Sequence, residues 1–498
     1  MPQLAASLLP PVALETRGAG GAPLYRQLTD WFRQAILDGR LKAGQRLPST
    51  RGLAKELGIS RIPVLSAYEQ LLAEGFLESK QGAGTCVARS LPGGDASPVR
   101  AAASGSTRRR VARRVASTKL AEPMWLRNLG AFRVGLPALE HFPSGIWTRL
   151  ITRHARSTSH EAMVYGAALG QLPLREAIAA YLGTFRGVRC EAAQILITTG
   201  SQQGLQCVAQ ALLDPGDKVW LEEPGYPGAR QAFALVDAKL VPVGVDEEGL
   251  DVAQGLRRAR DARLAYITPS HQFPLGSTLS ATRRMALLDW AERSGAWIVE
   301  DDYDSEYRFG GRPLSALQGS DAGGRVIYVG SFSKVMFPAL RLGYVVVPRD
   351  LLPAFEVIRE ATDTFTATLQ QAAMADFIRE GHFARHLRRT RQVYRERHLA
   401  LVEAIHGELS DELRLAGTDT GMHLTAFLPQ GVDDVQFTRR AAAAGISVRP
   451  LSICYLKPPE RGGLILGYGG ATPPQIRAGV SILKRLLASG GLTETIVT

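Results

Sequence analysis

The chain has 498 residues, 45% of them hydrophobic and 21% charged, a composition typical of a folded globular protein that excludes a disordered or collagen-like chain. At ~150 residues per domain, this length predicts at least two domains. Four widely spaced cysteines exclude a disulfide framework and a zinc ribbon, and we expect no metal ion. No uncharged apolar run reaches the ~18 residues of a membrane span, and residues 1–11 lack the basic lead of a signal peptide, which predicts a cytoplasmic protein.

The net charge of +12 is concentrated near the start of the chain. Residues 23–88 carry a net charge of +3 and residues 89–119 a net charge of +7, whereas the first 22 residues are balanced. A polyanion such as double-stranded DNA is the natural partner of such a segment. The alternative, a basic surface that only contacts water, stays open on charge alone.

Residues 20–88 are predicted to form a small helical module. An amphipathic helix over residues 23–37 is followed by a short helix over 49–57 and a third over 61–74, which Ser60 is expected to cap. Two short helices joined by a glycine-containing turn are typical of a helix-turn-helix. A glycine-rich hairpin, the wing, follows over residues 76–88. In the third helix we expect these side chains to face the core: Val64, Leu65, Tyr68, Leu71 and Leu72.

The composition changes twice after this module. Residues 89–122 are small, polar and basic without apolar periodicity, which predicts a flexible basic linker. Residues 123–498 alternate short β-rich runs with helical stretches. That alternation predicts an α/β domain with a mainly parallel central sheet.

Five apolar runs of the large domain are followed by side chains suited to ligand binding. After these runs come a helix N-terminus with a hydroxyl, an aromatic ring, a polar turn, an acid with a phenol, and a lysine among serines. Ligands of parallel α/β sheets bind beyond the carboxyl ends of the strands, so these features are expected to converge. The runs are residues 195–199, 218–222, 264–267, 296–300 and 326–329.

Pyridoxal 5'-phosphate (PLP) is the ligand that uses this whole set. It needs an amine for a Schiff base, an acid at its ring nitrogen, an aromatic face and donors for its phosphate. Lys334 supplies the amine and Asp301 the acid. Gly200 and Ser201 open a helix whose N-terminus favours an anion. Hydroxyls and a cation for the phosphate are offered by Ser331, Ser333 and Arg341.

The first module resembles the winged helix-turn-helix of the GntR family. The matching strings are LPSTRGLA at 47–54, SR at 60–61 and QGAGT at 81–85. A recognition helix of this kind places its first residues in the major groove. The resemblance therefore implies DNA contacts by Arg51, Ser60, Arg61, Lys80 and Gly82. Pro63 stands where that family often has a hydroxylated residue, which removes one polar contact.

The large domain resembles a fold-type I aminotransferase, and the whole chain is similar to a MocR-type regulator of the GntR superfamily. The strings that carry the resemblance are EPGY at 223–226, TPSHQFPLG at 268–276, EDDYDSEYR at 300–308 and GSFSK at 330–334. It implies that Lys334 forms the Schiff base, Asp301 pairs with the ring nitrogen, Tyr303 with the ring hydroxyl, and Tyr226 stacks on the ring. It assigns the phosphate region to Gly200, Ser201, Gln202, Ser331, Ser333 and Arg341, and it implies a head-to-tail homodimer.

Two departures from the aminotransferase pattern bear on activity. Phe273 precedes the proline of the strand-end turn, where such enzymes often carry asparagine. The late run over residues 463–469 has no arginine for a substrate carboxylate, and neither Arg449 nor Arg461 could be placed in the site from sequence. We therefore expect little or no transaminase turnover.

Two functions fit these features. The favoured hypothesis is a PLP-dependent transcriptional regulator that binds promoter DNA and senses PLP or its adduct with an amine or amino acid. The alternative is an active PLP-dependent aminotransferase with an appended DNA-binding module. The basic first module and linker favour the regulator, because an aminotransferase has no need of them.

Overall fold

A computed structural model of the protein describes residues 14, 22–80, 84–90, 111–118, 130–157, 163–310, 314–417 and 420–489. The chain forms two compact units, Met1–Arg110 and Val111–Thr498. The predicted linker contains a short helix, α4 (Arg113–Ser117), while its residues 91–110 and 119–122 lie outside the described residues. The domain bounds 20–88, 89–122 and 123–498 stay a prediction.

The first unit is a winged helix-turn-helix. Its elements are α1 (Leu24–Leu37), α2 (Thr50–Glu56), α3 (Arg61–Ala73), β1 (Leu77–Lys80) and β2 (Gly84–Val87). The strands β1 and β2 pair antiparallel and form the wing. The Ser49 hydroxyl caps α2 by accepting a hydrogen bond from the Gly52 backbone N–H at 3.1 Å.

The prediction that Leu65 of α3 faces the core is wrong. Val64, Tyr68 and Leu71 are buried as expected, whereas Leu65 is 37% exposed. The buried stripe runs through Val64, Ala67, Tyr68 and Leu71, at the i, i+3, i+4, i+7 spacing of one helix face. Since each residue turns a helix by about 100°, Leu65 points away from that face.

The second unit is built around an eight-stranded sheet of order β3-β10-β9-β8-β7-β4-β5-β6. Its neighbours β4/β5, β4/β7, β7/β8 and β8/β9 are parallel, while β10 and β6 run against their partners. The sheet is therefore mainly parallel, as predicted. Its strands are β3 (Ile195–Thr198), β4 (Lys218–Glu223), β5 (Lys239–Asp246), β6 (Gly249–Leu250), β7 (Leu264–Ile267), β8 (Trp297–Asp302), β9 (Val326–Ser331) and β10 (Gly343–Val346).

A second, four-stranded antiparallel sheet has the order β11-β12-β14-β13. Its strands are β11 (Arg414–Ala416), β12 (His423–Phe427), β13 (Arg449–Pro450) and β14 (Gly463–Gly467). The helices of this unit are α5 (Ser144–Arg156), α6 (Leu172–Arg186), α7 (Ser201–Leu212), α8 (Pro227–Ala234), α9 (Val252–Ala259), α10 (Ala281–Ser294), α11 (Leu352–Thr362), α12 (Thr368–Arg379), α13 (His382–Leu409), α14 (Asp434–Ala443) and α15 (Pro473–Ser489).

The central strands of the large sheet are buried on both faces. Every residue of β3, β7, β8 and β10 is buried, which explains why the apolar part of each run shows no alternation with polar residues. Strands β3, β4, β7, β8 and β9 share one direction, so their carboxyl ends meet at one edge. Within the described part of the chain, no helix is long and apolar enough to cross a membrane.

Candidate functional site

A cavity of about 450 Å³ lies at the carboxyl ends of β8 and β9. It brings together most of the side chains predicted for the PLP site. Gly200, which immediately precedes α7, adjoins the cavity residue Ser201. The predicted residues that line the cavity are Ser201, Gln202, Tyr226, Asp301, Tyr303, Ser331, Ser333, Lys334 and Arg341.

Lys334 extends from the loop after β9 towards a glycine that sequence reasoning missed. The Lys334 ammonium donates a hydrogen bond to the Gly135 carbonyl oxygen at 3.3 Å. Gly135 has a φ of +73°, and a Cβ on it would lie 2.3 Å from Lys334 Nζ. A side chain at position 135 would therefore displace the amine. Gly135 is 199 residues away in sequence, so no local signal pointed to it.

The end of β8 carries three consecutive acids, and strand alternation separates their roles. Glu300 accepts hydrogen bonds from the backbone N–H groups of Leu317 and Gln318 at 2.8 and 2.9 Å. Asp302 forms a buried salt bridge with Arg186 at 2.7 Å. Asp301 lies between them and lines the cavity.

Asp301 is a buried carboxyl whose two oxygens differ in their hydrogen bonding. Its Oδ2 accepts a hydrogen bond from the Tyr266 hydroxyl at 2.7 Å, and its Oδ1 is buried without a hydrogen-bond partner among the described residues. Burial raises the pKa of Asp301 to about 7, against the lowering effect of the Tyr266 hydrogen bond. A buried acceptor without a donor is costly, so this geometry fits a ligand that brings an N–H group, as a pyridinium ring does.

The N-terminus of α7 and Arg341 form the anion-binding side of the cavity. Gly200 has a φ of +109°, and a Cβ there would lie 3.1 Å from a guanidinium nitrogen of Arg341. The absence of a side chain thus lets Arg341 approach the helix end. Backbone N–H groups, a guanidinium and the hydroxyls of Ser331 and Ser333 are the donors that a phosphate requires.

Tyr226 and Tyr303 supply the aromatic surfaces of the cavity. Tyr226 packs edge-on against Phe273, with ring centroids 5.8 Å apart. The Tyr303 hydroxyl lies 3.1 Å from Nδ1 of His271, and this nitrogen lies 3.0 Å from Oδ1 of Asp304. His271 and Asp304 had no predicted role, although both fall within strings that carried the resemblance.

The structure places one of the two late arginines in the cavity. Arg449 lines the cavity, and it does so from β13, directly across the ladder from Ile465 of the arginine-free strand β14. Arg461 lies elsewhere, with its guanidinium carbon 5.9 Å from the centre of the Phe427 ring. Arg133 is a further cation of the cavity wall that was not predicted. Cations suited to a carboxylate are therefore present, from positions other than the expected strand.

The first unit places three of its five predicted DNA-contacting residues at the start of two helices. Arg51, Ser60 and Arg61 are exposed, and the Arg61 Nε donates a hydrogen bond to the Thr50 hydroxyl at 3.2 Å. Ser60 precedes α3, but within the described part of this unit its side chain makes no capping hydrogen bond, contrary to the prediction. Lys80 ends β1, and its side chain and Gly82 lie outside the described residues.

Comparison with known proteins matches both units. Residues 24–87 match the family described as bacterial regulatory proteins, gntR family, and residues 140–467 match aminotransferase class I and II. The α-aminoadipate aminotransferase LysN of Thermus thermophilus superposes with a TM-score of 0.71 at 31% identity, covering 76% of this chain and 97% of LysN. Fold and cavity thus define a class I and II aminotransferase domain joined to a gntR-type helix-turn-helix.

Relatives of full length carry the same two parts. The probable rhizopine catabolism regulatory protein MocR of Rhizobium meliloti is 42% identical over 93% of both chains. The pyridoxine biosynthesis transcriptional regulator PdxR of Corynebacterium glutamicum is 31% identical over 94% of this chain and 96% of PdxR. The chain belongs to the MocR-type regulators of the GntR superfamily, and it is a transcriptional regulator.

Proposed function

We propose that this regulator holds PLP through Lys334 and binds promoter DNA through its first unit, so that PLP, or PLP joined to an amine or amino acid, controls transcription. The observation that carries the proposal is the buried Oδ1 of Asp301, which lines the same cavity as Lys334 and meets no donor among the described residues. When bound, PLP supplies an electrophilic carbon that captures amines.

Each cavity residue has a distinct part in holding that group. Lys334 supplies the amine, with Gly135 directing it, and Asp301 accepts the ring N–H and keeps positive charge on the ring. Tyr226 offers its face to the ring, and Tyr303 donates to the ring oxygen. The phosphate contacts are assigned to Gly200, Ser201, Gln202, Ser331, Ser333 and Arg341.

The effector that best fits the rest of the cavity carries a carboxylate as well as an amine. Arg449 and Arg133 line the wall together with the residues of the PLP site, and a guanidinium pairs with a carboxylate through two parallel hydrogen bonds. An amine that reaches the position of Lys334 could therefore place an acid group at Arg449 or Arg133. This assigns the effector to the amino acids and leaves the individual compound to a binding screen.

The cofactor assignment is tested by absorbance. Purified protein mixed with PLP is expected to show a band in the ~400–430 nm region that Lys334→Ala abolishes, because the band needs the covalent bond to the lysine. Lys218→Ala is a matched control, since Lys218 is a lysine at the start of β4 that pairs with Asp261 at the surface. A wild type whose spectrum does not change with PLP would overturn the proposal.

The effector assignment is tested by titrating the PLP-loaded protein with a panel of amino acids and the corresponding amines without a carboxylate. Arg449→Gln is expected to weaken amino-acid binding about 10- to 100-fold, the loss of one charge-assisted contact, while leaving the amines unaffected. Equal affinity of Arg449→Gln and the wild type for every amino acid would assign the acid group to Arg133 or to neither arginine.

The alternative, a working aminotransferase, is favoured by one observation, the presence of Arg449 in the cavity. The two functions separate on turnover. Slow or absent keto-acid formation over a panel of amino acids is expected of the regulator. A turnover near ~10 per second, the median of ordinary enzymes, would instead support the aminotransferase.

A further inference from the structure

A buried histidine–aspartate pair stands behind the Tyr303 hydroxyl. His271 and Asp304 are both buried, and Nδ1 of His271 lies 3.0 and 3.1 Å from the two Asp304 carboxyl oxygens. The Asp304 Oδ2 also accepts the Met422 backbone N–H at 3.2 Å. Gly421 makes room for the pair, because a Cβ there would lie 2.0 Å from the His271 ring.

The donors and acceptors of this group can be assigned from its partners. Asp304 accepts, so Nδ1 of His271 carries the proton that faces it. A protonated Nδ1 has no lone pair to accept a second hydrogen bond, so the Tyr303 oxygen, 3.1 Å away, shares the single Nδ1 proton with Asp304 in a bifurcated hydrogen bond. Burial first, and then the negative charge of Asp304, hold the pKa of Tyr303 well above its ordinary value, so the hydroxyl keeps its own proton.

We infer that His271 and Asp304 are positioning residues that turn the Tyr303 hydroxyl so that its proton points into the cavity, toward the cofactor's ring oxygen. This rests on the proposed function, since it concerns the bound PLP. Without His271, the Tyr303 proton could turn toward other acceptors and the donation would be partly lost. The other charged groups of the cavity wall are Lys334, Asp301, Arg133, Arg341 and Arg449, and the titratable His423 lines it as well.

The absorbance of the bound cofactor is expected to change with pH, and the pKa of that change reports this donation. A donor at the ring oxygen would withdraw negative charge from that oxygen. A proton held between the ring oxygen and the nitrogen of Lys334 would then be lost more easily, which lowers the pKa. Tyr303→Phe is expected to raise the pKa of this absorbance change by about one unit, a tenfold change in proton affinity. His271→Ala and Asp304→Asn are expected to raise it in the same direction by a smaller amount.

The double variant decides whether His271 acts through Tyr303. In the Tyr303→Phe background, His271→Ala is expected to cause no further change, because the group it orients is gone. An equal change in both backgrounds would mean that His271 acts by its own charge and would overturn the inference. His154→Gln is the matched control. His154, on α5, also pairs with an aspartate, Asp376, at 2.8 Å, but it does not line the cavity.

Three further outcomes are distinguishable. His271, Asp304 and His423 have ligand atoms within 4.8 Å of one another, a spacing that a metal ion could also use. A band whose pKa changes when a chelator is added would assign the cluster to a metal and overturn the positioning role. A wild type without any PLP band would overturn the proposed function itself, whereas a band insensitive to His271→Ala would overturn this inference alone.

A second inference comes from the first unit. Two apolar side chains near the start of α3 are exposed to solvent: Ile62 is 73% exposed and Leu65 is 37% exposed. Ile62 directly follows the exposed Arg61 in the chain, and the Arg61 side chain bonds to Thr50 at the start of α2, next in sequence to the exposed Arg51. The charge of these arginines complements a polyanion. In the major groove, thymine is the base that presents a methyl group, and apolar side chains recognise it by contact.

We propose that Ile62 and Leu65 read thymine methyl groups in the major groove, on the basis of the proposed DNA binding. The test uses duplexes selected from a random library by the wild-type protein, with each thymine replaced in turn by uracil, which lacks only the methyl group. Loss of one buried methyl is expected to weaken binding about three- to fivefold at one or two positions of each half-site.

The variants assign the contact. Ile62→Ala and Leu65→Ala are each expected to abolish the uracil effect at one position, and Leu37→Ala, which alters a 58% exposed leucine of α1, is expected to preserve it. A wild type that selects no duplex would overturn DNA binding as a whole. Selected duplexes that bind equally well with thymine or uracil at every position would overturn only the methyl contact.

Discussion

Asp301 differs from Glu300 and Asp302, the acids on either side of it, in its hydrogen-bond and ion-pair partners. Glu300 accepts hydrogen bonds from two backbone N–H groups and Asp302 pairs with Arg186, so both carboxyls have partners within the protein. Asp301 has only the Tyr266 hydroxyl among the described residues, and it lines the cavity. Without a ligand such a carboxyl destabilises the protein when it is ionised, which connects ligand binding to pH.

This imbalance predicts how pH acts on the cofactor-free protein. The pKa of Asp301 is raised to about 7, so the stability that its protonated form contributes is present below about pH 4 and lost as pH rises to about 7. Asp301→Asn, which cannot ionise, is expected to gain stability over the wild type across this window, by at most about 4 kcal/mol. Thermal unfolding of both proteins between pH 4 and 8 measures the difference.

The control is Asp261→Asn, because Asp261 is exposed, and pairing with Lys218 lowers the pKa of its carboxyl. The difference in stability between Asp261→Asn and the wild type is expected to stay nearly constant from pH 4 to 8. The buried acids Glu300 and Glu306 also have a pKa raised to about 7, but they are common to both proteins and cancel. The charge of Asp301 contributes to the raised pKa of Glu222, so Asp301→Asn also relieves Glu222 and the two effects act in the same direction. A constant difference for Asp301→Asn would contradict the prediction.

At the scale of elements, the two short helices of the first unit begin differently. The Ser49 hydroxyl caps α2 by accepting from the Gly52 N–H, whereas Ser60, in the same position before α3, makes no such bond within the described residues. Both serines precede a helix, and the pattern alone predicts a cap for both. The Ser60 hydroxyl is thus available for a contact outside the helix, consistent with its predicted place at the DNA.

The two serines form a matched pair of substitutions. Ser49→Ala is expected to destabilise the first unit by about 1 kcal/mol, because the Gly52 N–H loses its acceptor. Ser60→Ala is expected to cost less than about 0.5 kcal/mol, since no capping bond is lost. Hydrogen exchange of the Gly52 amide in the full-length protein measures the effect, and equal protection in both variants would contradict it.

At the scale of the whole molecule, regulation needs both units on one chain, and the predicted head-to-tail homodimer would supply two DNA-reading units. The basic segment predicted as a linker is expected to contact phosphates alone, and phosphate contacts carry no sequence information. Its residues Arg108, Arg109 and Arg110 lie outside the described residues.

Specific and general DNA binding are therefore expected to separate. Replacing Arg108, Arg109 and Arg110 with alanine should weaken binding to all duplexes alike and reduce the salt slope by up to ~0.9 per lost phosphate contact. Arg61→Ala should instead cost ~1–3 kcal/mol and relax preference at one position of each half-site. Mobility shifts on the selected duplexes at several salt concentrations distinguish them, and loss of specificity in the linker variant alone would contradict both placements.

The sequence by itself determined the class of this protein, because its signals are local. Helix periodicity marked the elements of the first unit, apolar runs marked β3, β4, β7, β8 and β9, and the strings around Asp301 and Lys334 placed an acid and an amine at strand ends. The parallel direction of those strands then made convergence of the two groups predictable.

Only the tertiary structure decided which other residues join them. Gly135 lies 199 residues from the lysine that it contacts, and Arg449 reaches the cavity from a strand next to the one expected to supply a cation. The partners of Tyr303 became visible only when β8 and the loop after β7 were adjacent. The physical reason is that these contacts depend on how distant segments pack, and periodicity carries no information about packing partners beyond the element that shows it.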